Sequence, residues 1–81
     1  SGEALVEVRN YLPVGEHVEV IQPKDQMLEL DITKITNIKN DEILDAAHAN
    51  YRVRIPMPPV KPLSMLRVEK GVAGTGEVTP E

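Results

Sequence analysis

HVEVIQPKDQMLELDIT, residues 17–33, decides how the chain is read. Val18 and Val20 point one way, while His17, Glu19 and Ile21 point the other. After the break Gln22-Pro23-Lys24-Asp25-Gln26, Leu28, Leu30 and Ile32 alternate with Glu29, Asp31 and Thr33. A period of two belongs to extended chain, because successive side chains of a strand leave opposite faces. Two half-buried strands separated by a turn are expected, each with one apolar and one charged face.

The same pattern recurs on both sides. In ALVEVRNY, residues 4–11, Val6 and Val8 alternate with Leu5, Glu7 and Arg9; in YRVRIP, residues 51–56, Tyr51, Val53 and Ile55 oppose Arg52 and Arg54. Pro13 and Gly15 punctuate the first gap, and Asn37-Ile38-Lys39-Asn40-Asp41 follows the third run. Ile32, Ile35 and Ile38 fall three apart, so the strand is expected to end or bulge near Thr33-Lys34. Val18, Val20, Leu28, Leu30, Ile32, Val53 and Ile55 are expected inside, and Glu19, Glu29, Asp31 and Arg54 outside. Loss of a buried Leu30 side chain would cost about 2–5 kcal/mol.

Strands recurring about every ten residues predict an all-β fold, a small antiparallel sheet closed on itself as a barrel. Closure would also remove exposed strand edges. The rival segment is DEILDAAHA, residues 41–49, whose alanines favour a helical turn starting at Asp41. It is short, and short helices need packing to persist. PMPPVKP, residues 56–62, must be extended, because proline fixes its own φ and restricts its predecessor. LSMLRVE, residues 63–69, is expected to be a last strand, with a short helix as the alternative.

With 81 residues the chain suffices for one small domain. Ser1-Gly2 read as a cloning remnant, residues 3–69 as the barrel, and KGVAGTGEVTPE, residues 70–81, as a flexible, disordered tail with three glycines and no face to bury. The absence of cysteine removes disulfides, thiolate zinc sites, iron–sulfur ligation and cysteine nucleophiles. It suits a reducing, cytoplasmic setting. No apolar run approaches a membrane span, no secretory leader is read, and no membrane partner is expected. A net charge of −4 disfavours nucleic acid binding by the domain as a whole. With Trp and Phe absent and only two tyrosines, there is little on which bases could stack.

Chemistry has few candidates. Ser64, between Leu63 and Met65, lacks any sign of a nucleophile elbow and reads as structural. His48 follows Asp45 by three positions and His17 shares a strand face with Glu19, but each pair offers two metal ligands where a closed site wants three or four. His17 reads as a solvated strand residue and His48 as a turn residue. No catalytic residue, metal or cofactor is expected in this domain. Arg52 and Arg54 project from one strand face about 6–7 Å apart and could clamp an anionic group on a substrate or partner, with Arg9 and Arg67 as possible neighbours. The bland alternative pairs them across the sheet with Glu7, Glu19, Glu29 or Asp31.

The order of segments resembles a known family. Val6–Asn10 fits V-E-x-R-N, Val14–Pro23 fits V-G-[DE]-x-[LV]-E-V-x-x-P, and Leu44–Asn50 is similar to I-D-x-A-x-x-x-N. Val53–Pro58 fits V-x-I-P-x-P, and Met65–Arg67 supplies the closing M-L-R. Together, spanning Glu3 to Glu69, they resemble the C-terminal domain of the collagenase-like peptidase family. The resemblance implies a compact barrel similar to the second domain of translation elongation factors, appended to a larger catalytic domain. Members of the family have been called proteases or collagenases. Relatives hydroxylate transfer or ribosomal RNA, using prephenate and an iron–sulfur cluster held by the large domain. On this reading the domain is no enzyme by itself. It is an accessory of a hydrolase or RNA-hydroxylating parent, partnered by that catalytic domain and helping to bind a protein or RNA substrate. The alternative is a purely structural module that stabilises the catalytic domain.

Overall fold

The computed structural model describes residues 2–68 and 75–80. Ten strands run in chain order among these residues: β1 (Glu3–Val8), β2 (Leu12–Pro13), β3 (His17–Gln22), β4 (Gln26–Asp31), β5 (Ile35–Asn37), β6 (Ile43–Leu44), β7 (Ala46–Ala47), β8 (Arg52–Pro56), β9 (Ser64–Val68) and β10 (Gly76–Pro80). A single 3-10 turn, Pro23–Asp25, links β3 to β4, with Lys24 in the left-handed region at φ 66°. The all-β expectation holds. Residues 41–49 hold β6 and β7 rather than a helical turn, and 63–69 contribute β9. The alanines' local preference loses to pairing, since a single helical turn with little apolar surface gains less than a strand on a ladder.

Eight strands form one antiparallel sheet in the order β4-β3-β9-β10-β1-β8-β5-β6, and β2 and β7 pair as a separate ribbon. The large sheet curls into a half-barrel. The expected closure is not reached: among the described residues β4 pairs with β3 alone and β6 with β5 alone. β4 ends at Asp31, two residues before the break expected near Thr33-Lys34, and Leu12-Pro13 and Ala46-Ala47 spend their ladder bonds on each other. Among the described residues no long strand remains to bridge the edges.

The tail expectation also fails, over its second half. Gly76–Pro80 lies between β1 and β9, with Val6 opposite Val78 and Val8 opposite Gly76 on one side and Leu66 opposite Gly76 on the other. Thr75, Gly76 and Val78 are buried. Glycine is needed here for proximity: a Cβ on Gly76 would stand 2.9 Å from the Glu7 carbonyl oxygen and 3.0 Å from Val6 Cγ1. Residues 70–74 and 81 of the expected tail lie outside the described residues.

Inward side chains form one cluster that includes Val6, Val8, Leu12, Val18, Val20, Ile32, Ile35, Val53, Ile55, Leu66 and Val78. Val18, Val20, Ile32, Val53 and Ile55 are buried as the alternation requires. Leu28 and Leu30 are a correction: they pack on the core but are only half-buried. Their strand is the sheet's edge, with no strand beyond it among the described residues. Glu29 and Asp31 are exposed, whereas Glu19 and Arg54 are partly covered.

Candidate functional site

The outer face of the sheet carries every arginine singled out above, and register shows how they sort. Glu77 on β10 stands opposite Glu7 on β1, and Glu7 opposite Arg52 on β8. Two like charges side by side are unfavourable unless compensated. Arg9 Nη2 donates to Glu77 Oε2 at 3.0 Å, and Arg52 Nε donates to Glu7 Oε2 at 3.4 Å. Arg54 leans the other way, toward Asp41 Oδ1 at 3.5 Å in the turn between β5 and β6. Arg67, opposite Glu19, donates from Nε and Nη2 to the same carboxylate oxygen at 2.7 and 2.6 Å. Thus Arg9 and Arg52 share one alternating charge network, and Arg67 pairs with Glu19 elsewhere on the sheet. Of Arg52 and Arg54, Arg52 found a partner that cross-strand pairing named, Glu7, and Arg54 met Asp41, which it had not named.

Arg52 differs from the others in its surroundings. Its side chain is 66% exposed, and it borders two depressions. The larger, an open cleft of about 790 Å³, is lined by Asn37, Ile38, Lys39, Asn40, Asn50, Tyr51 and Arg52. The smaller, about 170 Å³, lies over Leu5, Glu7, Ile38, Arg52, Glu77 and Thr79. Two of the cleft's asparagines shape its wall: Asn37 Oδ1 accepts from Lys39 N at 2.9 Å, and Asn40 Oδ1 from Glu42 N at 3.1 Å. These are the side-chain-to-backbone bonds that Asn makes in turns. Each leaves a carboxamide NH2 available as a donor. Asn50 adopts φ 74°, a conformation Asn tolerates better than most residues. Its backbone N donates to Val8 O at 2.7 Å, tying the cleft floor to β1. No periodicity marks this cleft in the sequence, where Asn37–Asp41 carries only turn chemistry.

His17 is half-buried rather than fully solvated, and His48 is exposed in its turn. His48 packs between two rings, with centroids 5.3 Å from Tyr11 and 5.6 Å from Tyr51, and its carbonyl accepts from Tyr51 N at 3.2 Å in the expected turn. His17 bridges two carboxylates of β4: Nδ1 lies 2.7 Å from Asp31 Oδ1 and Nε2 3.0 Å from Glu29 Oε1. Ionised carboxylates only accept, so both contacts are hydrogen bonds when the ring carries both protons. Among the described residues no three such side chains group to hold a metal. Ser64 is buried and its hydroxyl donates to the Lys61 carbonyl at 2.6 Å, which gives it a structural job closing the turn before β9. No helix among the described residues is long and apolar enough to cross a membrane.

No curated protein and no solved structure matches the chain. The family model described as the peptidase family U32 C-terminal domain matches residues 1–67, which include every strand from β1 to β8 and most of β9. The motifs at Val6–Asn10, Val14–Pro23, Leu44–Asn50, Val53–Pro58 and Met65–Arg67 fall inside that span, and the chain belongs to peptidase family U32 as a C-terminal domain.

Proposed function

We propose that this domain is a non-catalytic accessory of a larger, peptidase-like parent and that it contacts the parent's protein or RNA substrate at the Arg52 cleft. The observation that carries the reading is Arg52 itself: an exposed guanidinium on a rigid strand, held by one long contact and bordering both depressions. A planar fork so placed suits a phosphate or carboxylate group. Lys39 across the cleft adds a second cation, and the carboxamides of Asn37 and Asn40 add donors. Arg54 is its neighbour on the same strand face and Arg9 joins it through Glu77 and Glu7, whereas Arg67, held at both Nε and Nη2 by Glu19, lies away from this centre. The role belongs to the cytoplasm, and the curled open sheet is on this reading a relaxed form of the barrel of elongation-factor second domains.

A second reading has its own support. The short Arg67–Glu19 and Arg9–Glu77 bonds are what a module built for packing on a catalytic domain would show, whether the parent is a protease or an RNA-hydroxylating enzyme. An Arg52→Ala/Arg54→Ala variant of the full-length parent separates the two. Substrate contact predicts reduced binding or turnover, more at low than at high salt, with the melting temperature of the domain little changed. A structural role predicts a modest fall in melting temperature with turnover intact. Unchanged turnover in that double variant would remove the substrate reading.

A further inference from the structure

The edge strand β4 is unusually complete for a strand with a free side. Ile32 N donates back to Glu16 O at 2.8 Å, toward β3. Peptide groups along an antiparallel strand alternate in direction, so Leu30 and Leu28 also face β3. Met27, Glu29 and Asp31 therefore direct their N–H and C=O groups away from the sheet, and among the described residues β4 pairs on one side only. Edge strands of this length are commonly blunted by proline, a bulge or lysine. Residues 26–31, QMLELD, contain neither proline nor a basic residue, and their pairing with β3 runs unbroken from Gln22↔Gln26 to His17↔Asp31.

The side chains along this edge specify what could lie beside it. Leu28 and Leu30 face the core yet remain half-buried, with no strand beyond them among the described residues. On the outer face stand Met27, 52% exposed, then Glu29 and Asp31, with side chains 53% and 69% exposed. We propose that β4 accepts an extended, basic and apolar peptide segment as an additional antiparallel strand. Opposite Asp31 to Met27 that segment reads basic, apolar, basic, apolar, apolar. Its cations would meet Asp31 and Glu29, and its apolar residues would cover Leu30, Leu28 and Met27. Ladder bonds supply affinity, and the alternation supplies selectivity.

Charge decides against a second copy as the occupant. Any antiparallel register that pairs the free groups of two β4 strands brings a carboxylate of one copy opposite, or diagonal to, a carboxylate of the other. Like charges at such positions are destabilising. His17 contacts Asp31 and Glu29 from the β3 side, and Arg67 is engaged by Glu19, so neither places a cation on the open side. This proposal does not depend on the Arg52 cleft, which lies across β10 and β1 at the other half of the sheet.

The test uses the full 81-residue chain and a fluorescein-labelled peptide with the core Lys-Val-Lys-Val-Val, followed by anisotropy. Saturable binding is expected, weakening with salt and weaker by about tenfold or more when glutamates replace the lysines. Glu29→Pro removes one outward N–H while leaving the bonds to β3 in place, and an edge strand tolerates proline there. That variant should keep the circular dichroism spectrum and lose binding by about tenfold or more. Equal binding to a folded Glu29→Pro variant, or no saturable binding to the parent chain, would overturn the proposal. Should Glu29→Pro fail to fold, Glu29→Lys/Asp31→Lys decides, and unchanged binding there has the same consequence. A concentration-dependent dimer in sedimentation that Glu29→Pro dissolves would replace the basic segment with a second copy.

Discussion

The hairpin His17–Asp31 and the segment Thr75–Pro80 reverse what their sequences advertise. The hairpin alternates clearly in sequence, yet β4 ends as the outer strand with Leu28 and Leu30 half-exposed. Thr75–Pro80 lies in a run with three glycines, yet β10 is the strand that joins the two halves of the sheet. On one side of it stand β9, β3 and β4; on the other stand β1, β8, β5 and β6. Strong local pattern marks a strand's readiness to form. It carries no information on how many neighbours that strand will have.

Removing Thr75–Glu81 is the most direct way to break this comparison. β1 would lose five paired positions and β9 three, and Arg9 N and Asn10 N would lose the Thr75 carbonyl that accepts from both, at 2.8 and 3.3 Å. Against a total stability of about 5–15 kcal/mol for a natural domain, the shortened chain should have no cooperative thermal transition. A truncated chain that melts like the parent would show that β10 is dispensable and that the halves meet directly.

Side-chain substitutions sharpen it. Gly76→Ala sets a methyl group against the Glu7 carbonyl at 2.9 Å, backbone that can move little, and should cost about 1–3 kcal/mol by overpacking. An alanine at an unhindered glycine would instead stabilise by about 0.4–1 kcal/mol through the unfolded chain, so chemical denaturation reads the sign directly. Leu30→Ala on β4 should fall below the 2–5 kcal/mol of a fully buried leucine, at about 1–2 kcal/mol, because one flank already faces solvent. A loss at Leu30 larger than that at Gly76 would restore the ranking that alternation suggested.

Much of the candidate site was legible for one reason and hidden for another. Arg52 and Arg54 could be placed on one outer face from the period of two, and their strand is where it was expected. The partners are set by pairing between residues far apart in sequence: Arg52 with Glu7 across 45 positions, Arg67 with Glu19 across 48. Arg54 went to Asp41, which belongs to a turn whose path no periodicity describes. The cleft of Asn37, Lys39, Asn40 and Asn50 brings together two turns that become neighbours only when β5 pairs with β8.

The sequence by itself determined that this chain is extended, which residues of β1, β3, β4 and β8 face inward, that the alternation breaks near Thr33-Lys34, and the family to which its ordered motifs belong. These are properties of neighbours two to ten residues apart, where side-chain alternation and turn chemistry act directly. The tertiary structure alone decided the strand order, the open edge at β4, the cleft beside Arg52 and the burial of β10. Each of these depends on contacts between distant segments. At Gly76 the deciding property is the absence of a side chain, which a hydrophobic pattern cannot register and close packing between β1 and β9 requires.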